Sequence, residues 1–208
     1  MKTFITIILL SFLSTVGFAQ QYDSIKEYYV HGKLKAVGIN KDSLKHGEWK
    51  FYYPNGNISA IEEYKDDVLD GLAIYYDTLN HIVAKEQWRR GMEQDSAWYY
   101  YPNGKLKRAG VYGFGAYKGV WHSYHENGKL KSVGSYINGM PSGEWKFYFA
   151  SGGLEEVCTY VSGVQEGPAV YYKESGCIEA KGNKSNDLPV GTWLYYNKRG
   201  KVKKTVEY

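Results

Sequence analysis

Two stretches show the pattern most plainly. Alternate positions read Leu106, Arg108, Gly110, Tyr112 in one and Leu130, Ser132, Gly134, Tyr136 in the other. Lys107 and Lys131 are among the intervening residues. A period of two predicts short strands with one largely buried face. The aromatic and β-branched runs Trp49–Tyr53 and Ile58–Tyr64 also have strand composition. Between them, Pro54-Asn55-Gly56 predicts a tight turn. Proline sets φ at the second turn position, asparagine suits the third, and glycine takes the left-handed fourth. Such a turn joins the two runs as a β-hairpin. Helical apolar spacing is absent outside the N-terminus.

The hairpin repeats. From Gly56, steps of 24 residues land on Gly32, Asn80, Gly104, Gly128, Gly152, Gly176 and Gly200. Asparagine, the one exception, is the residue that next best tolerates a left-handed backbone. Four residues before each turn stand Tyr28, Tyr52, Tyr76, Tyr100, Tyr124, Tyr148, Tyr172 and Tyr196; two after it, the residue is always aliphatic. A second glycine column runs Gly47, Gly71, Asp95, Gly119, Gly143, Gly167, Gly191. Trp49, Trp121, Trp145 and Trp193 share a further column with Ala73, Ala97 and Ala169. Self-similarity at a fixed step is the mark of a stacked repeat protein.

The expected fold is all-β: an elongated single-sheet meander or solenoid of about eight 24-residue β-hairpin repeats. Sixteen strands at about 4.8 Å each give a sheet roughly 75 Å long. Each hairpin depends on its neighbours, because an isolated one is marginal in water. Small residues in the repeating columns would let the sheet curl into a trough. The Tyr52 column and the Trp49/Phe51 column fall on opposite faces, so both faces carry aromatics.

Residues 1–19 read as a separate object. Lys2 precedes the apolar run Phe4–Phe12, and Gly17-Phe18-Ala19 offers small residues for cleavage. This is the pattern of a secretory signal peptide, too short for a membrane anchor. The alternative is a buried first helix. No cysteine stands at the cleavage point, which argues against a lipoprotein, and no other transmembrane span is expected. Residues 20–208 form the repeat domain, exported to a periplasm, cell surface or medium. Loss of Lys2 lowers the formal charge from +4 to +3. That small excess sits in pairs beside the turns, such as Lys105/Lys107 and Lys129/Lys131. They read as a solvated, edge-blunting face, or as a weak contact for an anionic surface. Nucleic acid is not an expected partner of an exported chain.

Candidate chemistry is sparse. His122 and His125 are three apart on a strand and face opposite ways. The glycines from Gly113 to Gly119 lack the helix and spacing of a phosphate loop. Glu62-Glu63 and Glu155-Glu156 alternate faces. No catalytic residue, metal site or cofactor is expected. Cys158 and Cys177 flank an intervening strand, which puts them beyond disulfide reach and predicts free thiols.

The pattern Tyr-Tyr-x-x-Asn-Gly-Lys-Leu-Lys followed by Gly-x-Trp, clearest at Tyr100–Lys107, Tyr124–Lys131 and Gly143–Tyr148, resembles the bacterial variant of MORN repeats. The resemblance covers about 28–208. It implies scaffold and binding-surface roles, and such proteins are often labelled YwqK-type antitoxins of toxin–antitoxin systems. Four readings stay open: a non-catalytic scaffold for a protein partner or envelope polymer, a purely structural spacer whose aromatics serve only as core, an antitoxin, and a carbohydrate- or cell-wall-binding aromatic module. The third repeat departs most from the pattern. Trp88 replaces the usual tyrosine of its column, Arg89 and Arg90 follow, Trp98 sits beside the tryptophan column, and the glycines give way to Asn80 and Asp95. Trp, Tyr and Arg dominate binding hot spots. Trp88, Arg89, Arg90 and Trp98, flanked by Tyr76 and Tyr100, are therefore the candidate patch. Drift within a degenerate repeat is the alternative.

Overall fold

The computed structural model describes residues 21–208. The expected signal peptide lies outside the described residues. Those residues form one open antiparallel sheet of seventeen strands, about 70% of them in strand, with no helix among them. The first strand is Tyr22–Tyr28 and the last is Val202–Glu207. Each strand pairs with its sequence neighbours, as a meander of hairpins requires. The seventeenth strand arises from a break: Val68–Leu69 and Gly71–Tyr76 both pair with Ile58–Lys65, interrupted at Asp70.

The two ends of each hairpin are built differently. At the Pro-Asn-Gly end, Gly56 N–H donates to Tyr53 O at 2.9 Å, and Tyr53 N–H donates to Asn57 O at 2.8 Å. At the other end the turn has two residues, both left-handed. Asn138 and Gly139, at φ 51° and 79°, are an example. That is the turn type whose twist matches antiparallel strands. Asn80 and Asp95, which replace column glycines, keep the left-handed backbone at φ 72° and 67°. The third repeat thus departs in side chains and keeps its backbone.

Contacts across the 24-residue step hold the array together. Tyr29, Tyr53 and Tyr101 donate their hydroxyls to the main-chain oxygens of Tyr52, Tyr76 and Tyr124, at 2.6–2.8 Å. Asn55, Asn103 and Asn127 donate to the oxygens of Thr78, Glu126 and Ala150. At the opposite end, Gly115 N–H donates to Glu93 O at 3.0 Å, and Gly139 N–H to Tyr117 O at 3.1 Å. The lysines beside the turns do more than sit in solvent, which corrects the expectation of a merely solvated face. Lys33 donates to Pro54 O at 2.7 Å and Lys105 to Asn127 O at 2.9 Å, and Lys129 bonds Ser151 O. Each staples its own turn to the next.

The buried residues form rows without a second covering layer. Trp49, Trp121, Trp145 and Trp193 are all buried, as are Ala36, Ala60, Ala73, Ala84, Ala97, Ala169 and Ala180. The indoles lie flat on Gly38, Gly110, Gly134 and Gly182, each eleven residues earlier on the adjoining strand; a Cβ on any of them would overlap the ring. Each indole N–H also donates to a main-chain oxygen ten residues earlier, Ile39, Val111, Ser135 or Asn183, at 3.0–3.2 Å.

Candidate interaction surface

The tryptophan rows are interrupted, and the interruption is compensated. Where the column holds Ala73, Ala97 or Ala169, the position eleven residues earlier is no longer glycine but Glu62, Glu86 or Cys158. A large ring on a bare backbone gives way to a small residue beside a long or polar one. Volume is kept, and polarity enters the middle of the face.

Two consecutive interruptions make a polar stretch between Trp49 and Trp121. Tyr64 donates its hydroxyl to Glu62 Oε2 at 2.6 Å. Tyr99 donates to Glu86 Oε1 at 2.6 Å and lies 3.0 Å from the Tyr112 hydroxyl. Arg108 occupies a column that holds Ala36, Ala60, Ala84 and Ala180 in four repeats and Ser132, Glu156 and Lys204 in the others. Its guanidinium stacks 4.1 Å from the Tyr99 ring centroid and donates to the Tyr117 hydroxyl at 2.7 Å. Its cross-strand neighbour on the far side is Ser123, where other repeats place Phe51 or Tyr75. The small serine makes room for the arginine.

Burial raises the Tyr64 and Tyr75 hydroxyls well above the ordinary tyrosine range, and the Glu62 carboxyl adds to the shift in both. Burial and the bond to Glu86 push Tyr99 up to about 12. Tyr112 is raised by burial and by its bonds to Tyr99 and Tyr117. These hydroxyls therefore stay protonated near neutral pH and serve as donors. A second, smaller interruption surrounds Cys158. Gln165 Nε2 donates to Glu156 and Tyr160 at 3.1 Å and lies 3.3 Å from the Cys158 sulfur. Burial pushes the thiol up to about 12, and Glu156 adds to it. A thiol so held is a poor nucleophile. Cys158 and Cys177 are both free.

The residues singled out in the third repeat do not converge. Trp88 pairs with Gly71 and Glu93, on the face that carries Ala84 and Glu86. Trp98 pairs with Lys85 and Ala109, on the opposite face. Arg89 and Arg90 are exposed at the hairpin tip, Arg89 lying 3.8 Å from Asp95. Tyr76 and Tyr100 stand at the other end of their strands, next to the Pro-Asn-Gly-type turns. Of the set, Trp88 alone joins the polar stretch, its indole N–H buried without a partner among the described residues. Glu62, Glu86, Tyr75, Tyr99 and Arg108 carry no motif. Their signal lies in reading two columns together, eleven residues apart.

Four segments of the chain, 45–66, 99–112, 117–138 and 141–162, match the MORN repeat variant family. The unmatched 67–98 contains Ala73, Ala97, Asn80 and Asp95. No curated protein matches the chain. Among solved structures, the chain is similar to the crystal structure of TcdB2-TccC3 without hypervariable C-terminal region, at 12% identity, 87% coverage of this chain and 12% of that one, with a TM-score of 0.26. It is also similar to the crystal structure of TcdB2-TccC3-Cdc42, at 12% identity, covering 87% of this chain and 14% of that one, with a TM-score of 0.17. The chain thus spans about an eighth of the length of each.

Proposed function

We propose that the chain is an exported, non-catalytic scaffold that binds a protein or an envelope polymer, and that it does so on the interrupted stretch of its tryptophan face. One observation carries this reading. Between Trp49 and Trp121 the packing unit of ring on glycine is replaced twice, and both replacements place hydrogen-bonding groups, Glu62 and Glu86, among half-buried tyrosines. A sheet that only spaces two objects apart gains nothing from polar groups set there. Four matches to an interaction-type repeat support the same reading. Chemistry finds no support in residues that hold their protons so firmly. An antitoxin role rests on the resemblance alone.

The test is capture from the native envelope by two variants. One carries Glu62→Gln with Glu86→Gln. The other carries Trp98→Ala with Arg90→Ala, on the opposite face and tip. Loss of capture by the first alone, with unchanged far-UV circular dichroism, is expected. Loss by the second alone moves the site to the tyrosine face. Undiminished capture by both overturns the proposal. Export is tested by intact mass from the native host, where retention of Met1–Ala19 contradicts it.

A further inference from the structure

Within the described residues the sheet has two open edges. Tyr22–Tyr28 pairs only with Leu34–Lys41, and Val202–Glu207 only with Leu188–Tyr196. The first is an ascending strand in the phase of Leu44–Tyr52, and the last a descending strand in the phase of Leu34–Lys41. Carried on by eight whole steps of 24, the first strand falls at the position that would follow the last. The last strand of one molecule can therefore accept the first strand of another in the register the repeats already use.

That register can be read from the ladder Ala36↔Phe51, Val37↔Lys50 and Ile39↔His46. Carried to the edges by whole steps of 24, it sets Lys204 against Glu27, Thr205 against Lys26, and Glu207 against Tyr22. The first of these pairs is the informative one. The Ala36 column is small in most repeats, and the Phe51 column is mostly aromatic. Inside the array the first column also takes a charge at Arg108 and Glu156, but opposite the uncharged Ser123 and Tyr171; at the two ends the columns hold Lys204 and Glu27. Both carry a charge, the charges are opposite, and the register sets them face to face. Among the described residues the ion pair of Glu27 is with Lys35, 3.3 Å away and half exposed.

The neighbouring pair of columns agrees. Inside the array a tryptophan covers a glycine eleven residues earlier. At the edges the tryptophan position holds Ile25 and the glycine position holds Val206. Two medium aliphatic residues replace one very large and one absent side chain, so the volume at the joint is kept. Lys201 also stands in the column of Lys33, Lys105 and Lys129, which staple each turn to the next. At the joint the next turn is the one at Gly32 of a second copy.

We propose that the protein associates head to tail, the Val202–Glu207 edge of one copy pairing with the Tyr22–Tyr28 edge of the next, through Lys204 and Glu27. The two surfaces differ, so the contact is heterologous and propagates instead of closing as a dimer. Edge lysines can also serve to keep strands apart. A charge swap separates the two roles.

The experiment is sedimentation velocity of the full exported chain at rising concentration. The wild type should show a weight-average size that grows with concentration. Glu27→Lys alone and Lys204→Glu alone set like charges opposite, and each should weaken association by roughly tenfold or more. An equimolar mixture of the two single variants should recover association and propagate in alternation, because Lys204 of one then meets Glu27 of the other and the glutamate introduced at position 204 meets the lysine introduced at position 27. The double variant should propagate as the wild type does. Circular dichroism of each variant checks that the fold is kept. A wild type that stays monomeric, single variants that associate undiminished, or a mixture that stays monomeric overturns the proposal.

Discussion

The indole of Trp49 lies flat on Gly38 of the neighbouring strand, and its N–H donates to Ile39 O at 3.0 Å. Ring and bare backbone form one packing unit, made again at Trp121, Trp145 and Trp193. It lets a single sheet bury large side chains without a covering layer.

That unit predicts coupling. Gly38→Ala forces a methyl group into the ring and should cost on the order of 1–3 kcal/mol. Trp49→Ala should cost about 3–5 kcal/mol. The double variant should lose clearly less than the sum, since each change relieves the other. Urea denaturation of the three variants measures the coupling, and strict additivity would remove the packing unit.

Alkaline pH should unfold the chain through its tyrosines. The folded-state Tyr99 lies near 12, above its ordinary 10.0, so the folded chain holds this proton more tightly than the unfolded one. The stability it contributes is complete below pH 10 and is lost as pH rises through about 12. Tyr64 and Tyr75 act in the same direction. Denaturant midpoints should fall across this window, and Tyr99→Phe should make the fall shallower. Midpoints that hold steady there would contradict the burial of these hydroxyls.

The step of 24 residues, the turns at Gly56 and Gly104 and the strand alternation were legible because each is a property of one column. What escaped that reading depends on pairs. Glu62 looked like half of an idle Glu62-Glu63 pair until Ala73, eleven residues on, showed that a tryptophan was missing beside it. Lys105 looked solvated because its acceptor, Asn127 O, is a main-chain atom 22 residues away. Trp88 and Trp98 looked adjacent because they share a repeat, yet the pleat puts them on opposite faces.

Turn strain should stay local. Gly128 has φ 90°, a conformation that a β-branched residue resists. Gly128→Val should cost on the order of 1–3 kcal/mol. Amide exchange should rise in the repeats either side of Gly128 and little elsewhere, as in a quasi-one-dimensional array. Faster exchange spread evenly from Tyr22 to Glu207 would argue for one global unit.

The ties between repeats can be cut singly. Tyr101→Phe removes the 2.8 Å bond to Tyr124 O and leaves the ring. A loss of about 1 kcal/mol is expected, with faster exchange near the turn at Gly128. An unchanged thermal midpoint would show that the hydroxyl contributes nothing to stacking.

Small-angle scattering at low concentration tests the open single sheet most directly. A compact particle made of residues 20–208 would have a radius of gyration of about 16 Å. A sheet roughly 75 Å long must exceed that clearly, with a pair-distance distribution skewed toward long distances. A symmetric distribution with a radius near 16 Å would contradict the open sheet and the surface built on it.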